Sequence, residues 1–496
     1  MCRQWRTGRP WRHGRSEVHT DDDQENAVFD FLTDQRPPDT IAITVLPAAA
    51  LTDWLAQQPD AVRKWADLQG FKAQTGQIVT IPDGDGGIAR VLMGLGAADP
   101  SAPLSPWPFT ALPVSLPPGT YGFDTVPDAA FATMAALGWA LGTYRFDRYR
   151  MTETGARRPH PHLVVPEGCD IAYVTAAAKA TFLVRDLVNT PANDMGPADL
   201  EREALDLAAR IGAEATTTIG EDLLDENFPA IYEVGKGSVR APRLIDLRWG
   251  DPAHPKVTLV GKGVCFDTGG YDIKPGSSMA LMKKDMGGAA HVLGLAQMIA
   301  ALNLPVRLRV LIPAVENSIS GNAFRPSDVI ASRKGLTIEI GNTDAEGRLI
   351  LADALTLACE EDPALLIDFA TLTGAARSAL GPEVPPFFTD GEDLAAAFTE
   401  AARVSADPVW RLPLWQNYAD NLKSSIADMR NDGGPFAGAV VAGLFLKKFV
   451  ADPERWIHLD IYAWNPEKRY GRTVGGEAMA MRAAFEMILK RFASEN

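Results

Sequence analysis

Residues 257–288 read VTLVGKGVCFDTGGYDIKPGSSMALMKKDMGG, and residues 341–348 read GNTDAEGR. The first stretch opens on a short apolar run bounded by glycine, the pattern of a strand buried on both faces. Charged residues follow at once: Lys262, Asp267, Lys274 and Asp285 in the loops after that strand. Asp344, Glu346 and Arg348 come after a second apolar run at 336–340. In open α/β sheets, ligands sit beyond the carboxyl ends of strands, and these side chains fall where that rule puts a site. Acidic and basic groups at this density need metal ions to balance them.

Working outward, strand patterns at 243–247, 257–260, 306–312, 336–340, 365–369 and 456–461 are separated by helical ones at 289–302, 348–360, 438–449 and 479–492. Such alternation predicts an α/β fold with a mixed, mostly parallel sheet covered by helices. A helix over 176–187 leads into this unit and stops at NTPAND, where Pro191 and the Asn/Asp residues break it. A smaller α/β unit precedes it. That unit has a strand at 41–46, one helix over 51–68, a strand pair at 77–81 and 88–95 joined by PDGDGG, and a helix over 131–144. The stretch 151–162, MTETGARRPHPH, has turn formers and charge but no periodicity. The expected division is an extension at 1–20, an N-terminal α/β domain at 21–150, a linker at 151–165 and the larger domain at 166–496.

At 496 residues the chain is long enough for two domains. Its formal charge of −15 argues against nucleic acid as the main partner, because phosphate backbones are bound by basic surface. No apolar run reaches the roughly 20 residues that span a bilayer. The cysteines Cys2, Cys169, Cys265 and Cys359 form no CxxC pair, and no HExxH occurs. Unpaired thiols in a chain of this size suit a reducing cytoplasm. Arg3, Arg6, Arg9, Arg12 and Arg15 recur at every third position with no apolar core after them, which reads as a disordered extension rather than a secretory signal.

Asp267, Asp285, Asp344 and Glu346 would repel one another if buried together. A pair of divalent cations neutralises them, +4 against −4, and oxygen ligation without histidine suits zinc, manganese or magnesium. An ammonium cannot bind a metal, but nearby dications disfavour the charged form and make Lys262 a candidate ligand as a neutral amine. Gly261 and Gly263 allow close backbone approach around it. His291, His458 and Cys265 read as packing residues instead.

The pair VGKGVCFDTGGYDIKP…MKKDMGGAA and GNTDAEGRLILADAL closely resembles the leucine aminopeptidase, or cytosol aminopeptidase, family, of which NTDAEGRL is the signature. RDLVNTPAND at 185–194, ENSISGNAFRPSDVI at 316–330, TLTGA at 371–375 and WIHLDIYAW at 456–464 extend the resemblance over roughly 165–490. It implies a metal-dependent aminopeptidase that hydrolyses the N-terminal residue from peptides through a hydroxide bridging two divalent metals, manganese or zinc. Asp267 and Glu346 would bridge the ions, Asp344 would complete one site, and Lys262 and Asp285 the other. Lys274 would act as an electrophile at the substrate carbonyl, and Arg348 would hold a bicarbonate acting as general base. Met282, Thr371 and Gly374 would line the pocket for the first side chain. A cytoplasmic homohexamer is also implied. One departure stands out: many members have a small Ala-Gly pair after HLDI, and this chain has Tyr462 and Ala463. A tyrosine there would narrow or reshape the pocket.

Two other readings compete. A two-metal phosphoesterase uses similar carboxylate clusters, but Lys262 as a ligand and the apolar surroundings of Met282 and Thr371 disfavour it. A DNA-binding or scaffolding role finds support only in the Arg-rich first sixteen residues.

Overall fold

Residues 31–97, 103–150, 160–469 and 471–493 are described by the computed structural model of the chain. The larger sheet has nine strands, eight of them in the order Trp410–Arg411, Pro386–Phe388, Trp456–Asp460, Leu365–Ala370, Lys256–Gly261, Arg307–Asn317, Arg243–Trp249 and Glu214–Ile219. The ninth, Gly263–Asp267, also pairs with Arg307–Asn317. The strands from Trp456–Asp460 across to Arg307–Asn317 run parallel, and antiparallel pairs flank them on both sides. The sheet is thus mixed and mostly parallel at its centre.

Both faces are covered. Along Leu365–Ala370, which is buried throughout, Leu365, Ile367 and Phe369 enter one apolar core while Leu366 and Ala370 enter the other, as the two-residue period of a strand requires. Helices Ile171–Asn189, Gly287–Ala301 and Met481–Phe492 close the first core, and Pro229–Gly235, Gly347–Cys359 and Gly438–Lys447 close the second.

The N-terminal unit is built on a six-stranded sheet ordered Leu32–Thr33, Pro161–Val164, Gly119–Phe123, Ile41–Pro47, Ile88–Gly96, Ile78–Pro82. Only its last pair is antiparallel. Its core is continuous with that of the larger unit, running from Ile43 and Trp139 to Val184 and Leu293. A buried ion pair, Arg185 to Glu477 at 3.1 Å, and a 2.7 Å hydrogen bond donated by the Tyr144 hydroxyl to Asp186 lie near the junction.

Three local expectations change. The single helix expected over 51–68 is two, Leu51–Ala56 and Asp60–Leu68, because Pro59 between them sits in an extended conformation (φ −52°, ψ 150°). The apolar run at 336–340 does form a strand, Thr337–Glu339, but it belongs to a separate three-stranded sheet with Val329–Ala331 and Met429–Arg430. Asp344 and Glu346 therefore do not follow a strand of the large sheet. Within the stretch read as a linker, Pro161–Val164 is a strand of the first sheet. The expected 1–20 extension and residues 151–159 lie outside the described residues.

Candidate active site

Lys262 stands at a break between strands Lys256–Gly261 and Gly263–Asp267. Its backbone N–H still donates to the Phe369 carbonyl at 3.0 Å. There is no room for side chains around it. A Cβ on Gly261 would lie 2.7 Å from Ala289 Cα, and one on Gly288 only 2.0 Å from the Phe369 oxygen. The missing side chains let helix Gly287–Ala301 pack directly on the strands and carry Asp285 to the site. Asp267 closes its own strand, while Asp344 and Glu346 occupy the turn that enters helix Gly347–Cys359. That helix points its N-terminal dipole, which favours anions, at the cluster.

The four carboxylates meet around two ammonium groups. Lys262 Nζ lies 2.7 Å from Asp285 Oδ2 and 3.0 Å from Glu346 Oε1, and it donates to the Thr371 carbonyl at 3.0 Å. Lys274 Nζ lies 2.8 Å from Asp267 Oδ2 and also pairs with Asp344. Oxygen atoms of Asp267, Asp344 and Glu346 lie within 4.8 Å of one another, close enough to share an ion. Asp267 is held in place by Asn317 Nδ2 at 2.9 Å and the Gly269 N–H at 2.8 Å. Asp285 accepts from the Thr371 hydroxyl at 2.8 Å. Glu346 is 1% exposed; its Oε1 faces the Lys262 ammonium and its Oε2 has no partner among the described residues.

The electrostatics match this crowding. Burial, with Asp267 beside it, pushes the Glu346 carboxyl up to about 8. Burial and the same neighbour push Asp344 up to about 6. Burial works against charge on Lys262, but Asp285, Glu346 and Asp267 together outweigh it and hold its ammonium above the ordinary value. Lys274 is raised the same way against its own burial, chiefly by Asp267. A buried acidic nest of four carboxylates around two ammonium groups, with one Glu346 oxygen left without a partner among the described residues, fits a divalent-ion site.

Every candidate residue singled out from the sequence lines one cleft of about 480 Å³. Lys274 reaches it from the IKP loop, and Met282, Thr371 and Gly374 form part of its wall. Arg348 is buried there. It donates to the Asn431 carbonyl at 2.6 Å, while its Nε has no partner among the described residues. Lys284 also lines the cleft, its ammonium pulled down to about 8 by burial.

Sequence reasoning missed several supporting residues. Asn317 bridges Asp267 and the Thr343 carbonyl. Asp272 accepts from the Thr343 N–H at 2.7 Å, tying the two site loops together. Asp460 accepts from the Leu372 and Thr373 N–H groups, each at 3.0 Å, and fixes the TLTGA turn. All three sit inside matched motifs, but only the fold reveals their partners. The packing readings hold. His291 Nδ1 lies 2.6 Å from the Gly287 carbonyl, and its Nε2 accepts from the Met479 N–H. His458 pairs with Asp368 at 2.6 Å. Cys265 is buried, and burial pushes its thiol well above the usual range.

Clusters of this kind, carboxylates gathered in one cleft, mark metal-dependent hydrolases. The catalytic-domain model of the cytosol aminopeptidase family matches residues 182–485, and that of the M17 aminopeptidase N-terminal domain matches residues 41–166. The chain belongs to the cytosol aminopeptidase family and is a metallo-exopeptidase of the leucyl aminopeptidase type. A probable cytosol aminopeptidase of Syntrophotalea carbinolica is 43% identical over 368 residues, which is 71% of this chain and 73% of the relative. The crystal structure of cytosol aminopeptidase from Coxiella burnetii superposes with a TM-score of 0.87 at 46% identity, covering 93% of this chain and 100% of that one. The bottromycin maturation enzyme BotP in complex with Mn superposes with a TM-score of 0.82 at 34% identity, covering 91% and 99%.

Proposed function

We propose that this aminopeptidase works with two divalent ions, manganese or zinc, held by the carboxylate cluster, with catalysis in the domain spanning 166–496. Asp267 and Glu346 would be shared between the ions, Asp344 would complete one site, and Lys262 and Asp285 the other. The observation that carries this reading is Glu346: buried, with Oε2 unpartnered among the described residues and its carboxyl pushed up to about 8 by burial despite the Lys262 ammonium at Oε1. When bound, such an ion pair supplies Lewis acidity and lowers the pKa of a water to near neutrality. As a ligand, Lys262 would act as a neutral amine, so it must give up the proton that its carboxylate neighbours now stabilise.

The remaining work falls to the chain's own groups. Lys274, raised well into its charged form, would donate to a developing oxyanion at the substrate carbonyl. Its present contacts with Asp267 and Asp344 would loosen once cations neutralise those groups. Arg348 would hold a bicarbonate as proton acceptor, and its unpartnered Nε is the free donor that supports this. Met282, Thr371 and Gly374 would receive the first side chain of the peptide.

A homohexamer is proposed for the assembly. Trp410, Trp415 and Phe436, at 62%, 56% and 82% exposed, are apolar surface that subunit contacts would cover. A cytoplasmic location is proposed as well; Cys169, Cys265 and Cys359 are unpaired. Among the described residues, no helix is long and apolar enough to cross a membrane.

The test compares an aminoacyl amide with its N-acetylated form, with and without chelator. Hydrolysis of the free-amine substrate alone, abolished by chelation and restored by Mn or Zn, is expected. Equal turnover of the acetylated form, or turnover that survives chelation, contradicts the proposal.

A further inference from the structure

One wall of the cleft carries two cations that make no ion pair with the carboxylate cluster among the described residues. Tyr462, just beyond strand Trp456–Asp460, lines the cleft together with Met282 and Gly374. Two cations lie against its ring: Lys284 Nζ is 5.2 Å from the centroid and Arg377 Cζ is 4.5 Å from it. Lys284 is only 5% exposed. Lys262 and Lys274 each bridge two carboxylates. Among the described residues Lys284 has no side-chain hydrogen-bond acceptor and no carboxylate at ion-pair distance; it feels the charge of neighbouring Asp285, and its ammonium lies against the Tyr462 ring. Arg377 is exposed at the mouth of the same wall and likewise has no ion pair there.

A buried charge without a partner is costly, and a ring face compensates only part of that cost. An apolar first side chain docked against this wall would strip Lys284 of its remaining water and leave it unpaired. A carboxylate would supply the missing counter-ion. The wall holds a hydrophobic portion too, Met282 and the Tyr462 ring, which suits the methylene stem of an acidic side chain.

We infer that the Lys284–Tyr462–Arg377 wall selects peptides whose first residue is acidic, glutamate or aspartate, with Lys284 binding the side-chain carboxylate and Arg377 assisting at the rim. This rests on the aminopeptidase reading and on Met282, Thr371 and Gly374 bounding the first-residue pocket.

The experiment uses the full chain loaded with Mn and measures kcat/KM for glutamyl, glutaminyl and leucyl coumarylamides. Glutamate and glutamine differ in charge but hardly in size. The expected result is a preference for glutamyl over glutaminyl of at least ~10-fold, the lower end of what a hydrogen bond to a charged group contributes. In Lys284→Met that ratio should fall toward one, and Lys284→Arg should restore part of it. Arg377→Gln, at an exposed position, should move the ratio the same way by a smaller factor, and it provides a second variant should Lys284→Met not fold. Free glutamate should also inhibit the wild-type holoenzyme better than glutamine. A wild-type ratio near or below one, or a ratio unmoved by both substitutions, overturns the inference while leaving the aminopeptidase reading intact. Failure to hydrolyse any of the three substrates overturns both.

Discussion

Replacing Glu346 with glutamine should make the metal-free protein more stable while removing its function. In the absence of cations the Glu346 carboxyl is buried, has one oxygen without a partner among the described residues, and is pushed up from 4.5 to about 8. A group whose folded pKa lies above its unfolded value supports the fold fully below the unfolded pKa and loses that support as pH rises through the folded one. Between pH 4.5 and 7 the folded protein keeps this carboxyl protonated while the unfolded chain ionises it, so folding loses about 3 kcal/mol, at 1.36 kcal/mol per pH unit. Glu346→Gln removes the ionisation and keeps the shape. In chelator, its stability should match wild type near pH 4.5 and exceed it by about 3 kcal/mol at pH 7. For a chain this long that corresponds to roughly 3–6 °C in Tm. Adding Mn should reverse the order, because only the wild type gains the full stabilisation of a bound ion pair. The assay is thermal unfolding by circular dichroism across pH 4.5–8, with chelator and with Mn. A variant no more stable than wild type at pH 8 in chelator, or a gap that does not grow with pH, would refute the reasoning.

Two further outcomes follow from the same packing. Gly288→Ala places a methyl 2.0 Å from the Phe369 carbonyl and 2.7 Å from the Lys262 nitrogen; it should destabilise by about 2–3 kcal/mol or more and lower metal-dependent hydrolysis, and wild-type Tm and activity would contradict this. His291 is buried, and burial depresses its pKa from 6.5 to about 4. A depressed histidine pKa means that the unfolded state takes up the proton first. Stability should therefore fall by about 3 kcal/mol as pH drops from 6.5 to 4, and His291→Gln should show a shallower acid profile in the same thermal assay.

The fold was legible where the chain carries strong, local signals. Continuous apolar runs such as 257–260 and 365–369 fill positions on both faces of a strand, which only a helix-covered sheet accommodates. The 337–339 strand was legible as a strand but not by its sheet, because three residues carry no mark of which partner they pair with. The helix break at Pro59 was open to reading, since proline removes a donor, but apolar spacing on both sides obscured it. Strand Gly263–Asp267 escaped because glycine and an aspartate bound it and its pairing with Ala314–Asn317 is long-range.

The site divides along similar lines. Lys262, Asp267, Lys274, Asp285, Asp344, Glu346 and Arg348 could be read from two motifs, and the cleft brings them together. Their pairing could not. That Lys262 and Lys274 each bridge two carboxylates depends on four loops converging from different elements. The place of Lys284 is a property of its surroundings too: next to Asp285 in the chain, it feels that charge without pairing at contact distance, and its ammonium lies against the Tyr462 ring.

The central claim is that this acidic nest holds a pair of ions. An anomalous difference map from a crystal soaked in MnCl2 tests it most directly. Two peaks are predicted, both in reach of Asp267 and Glu346, one also touching Asp344 and the other Asp285 and Lys262. A map with no peak at these side chains, or with a single ion and Lys262 still bridging Asp285 and Glu346, would contradict the account.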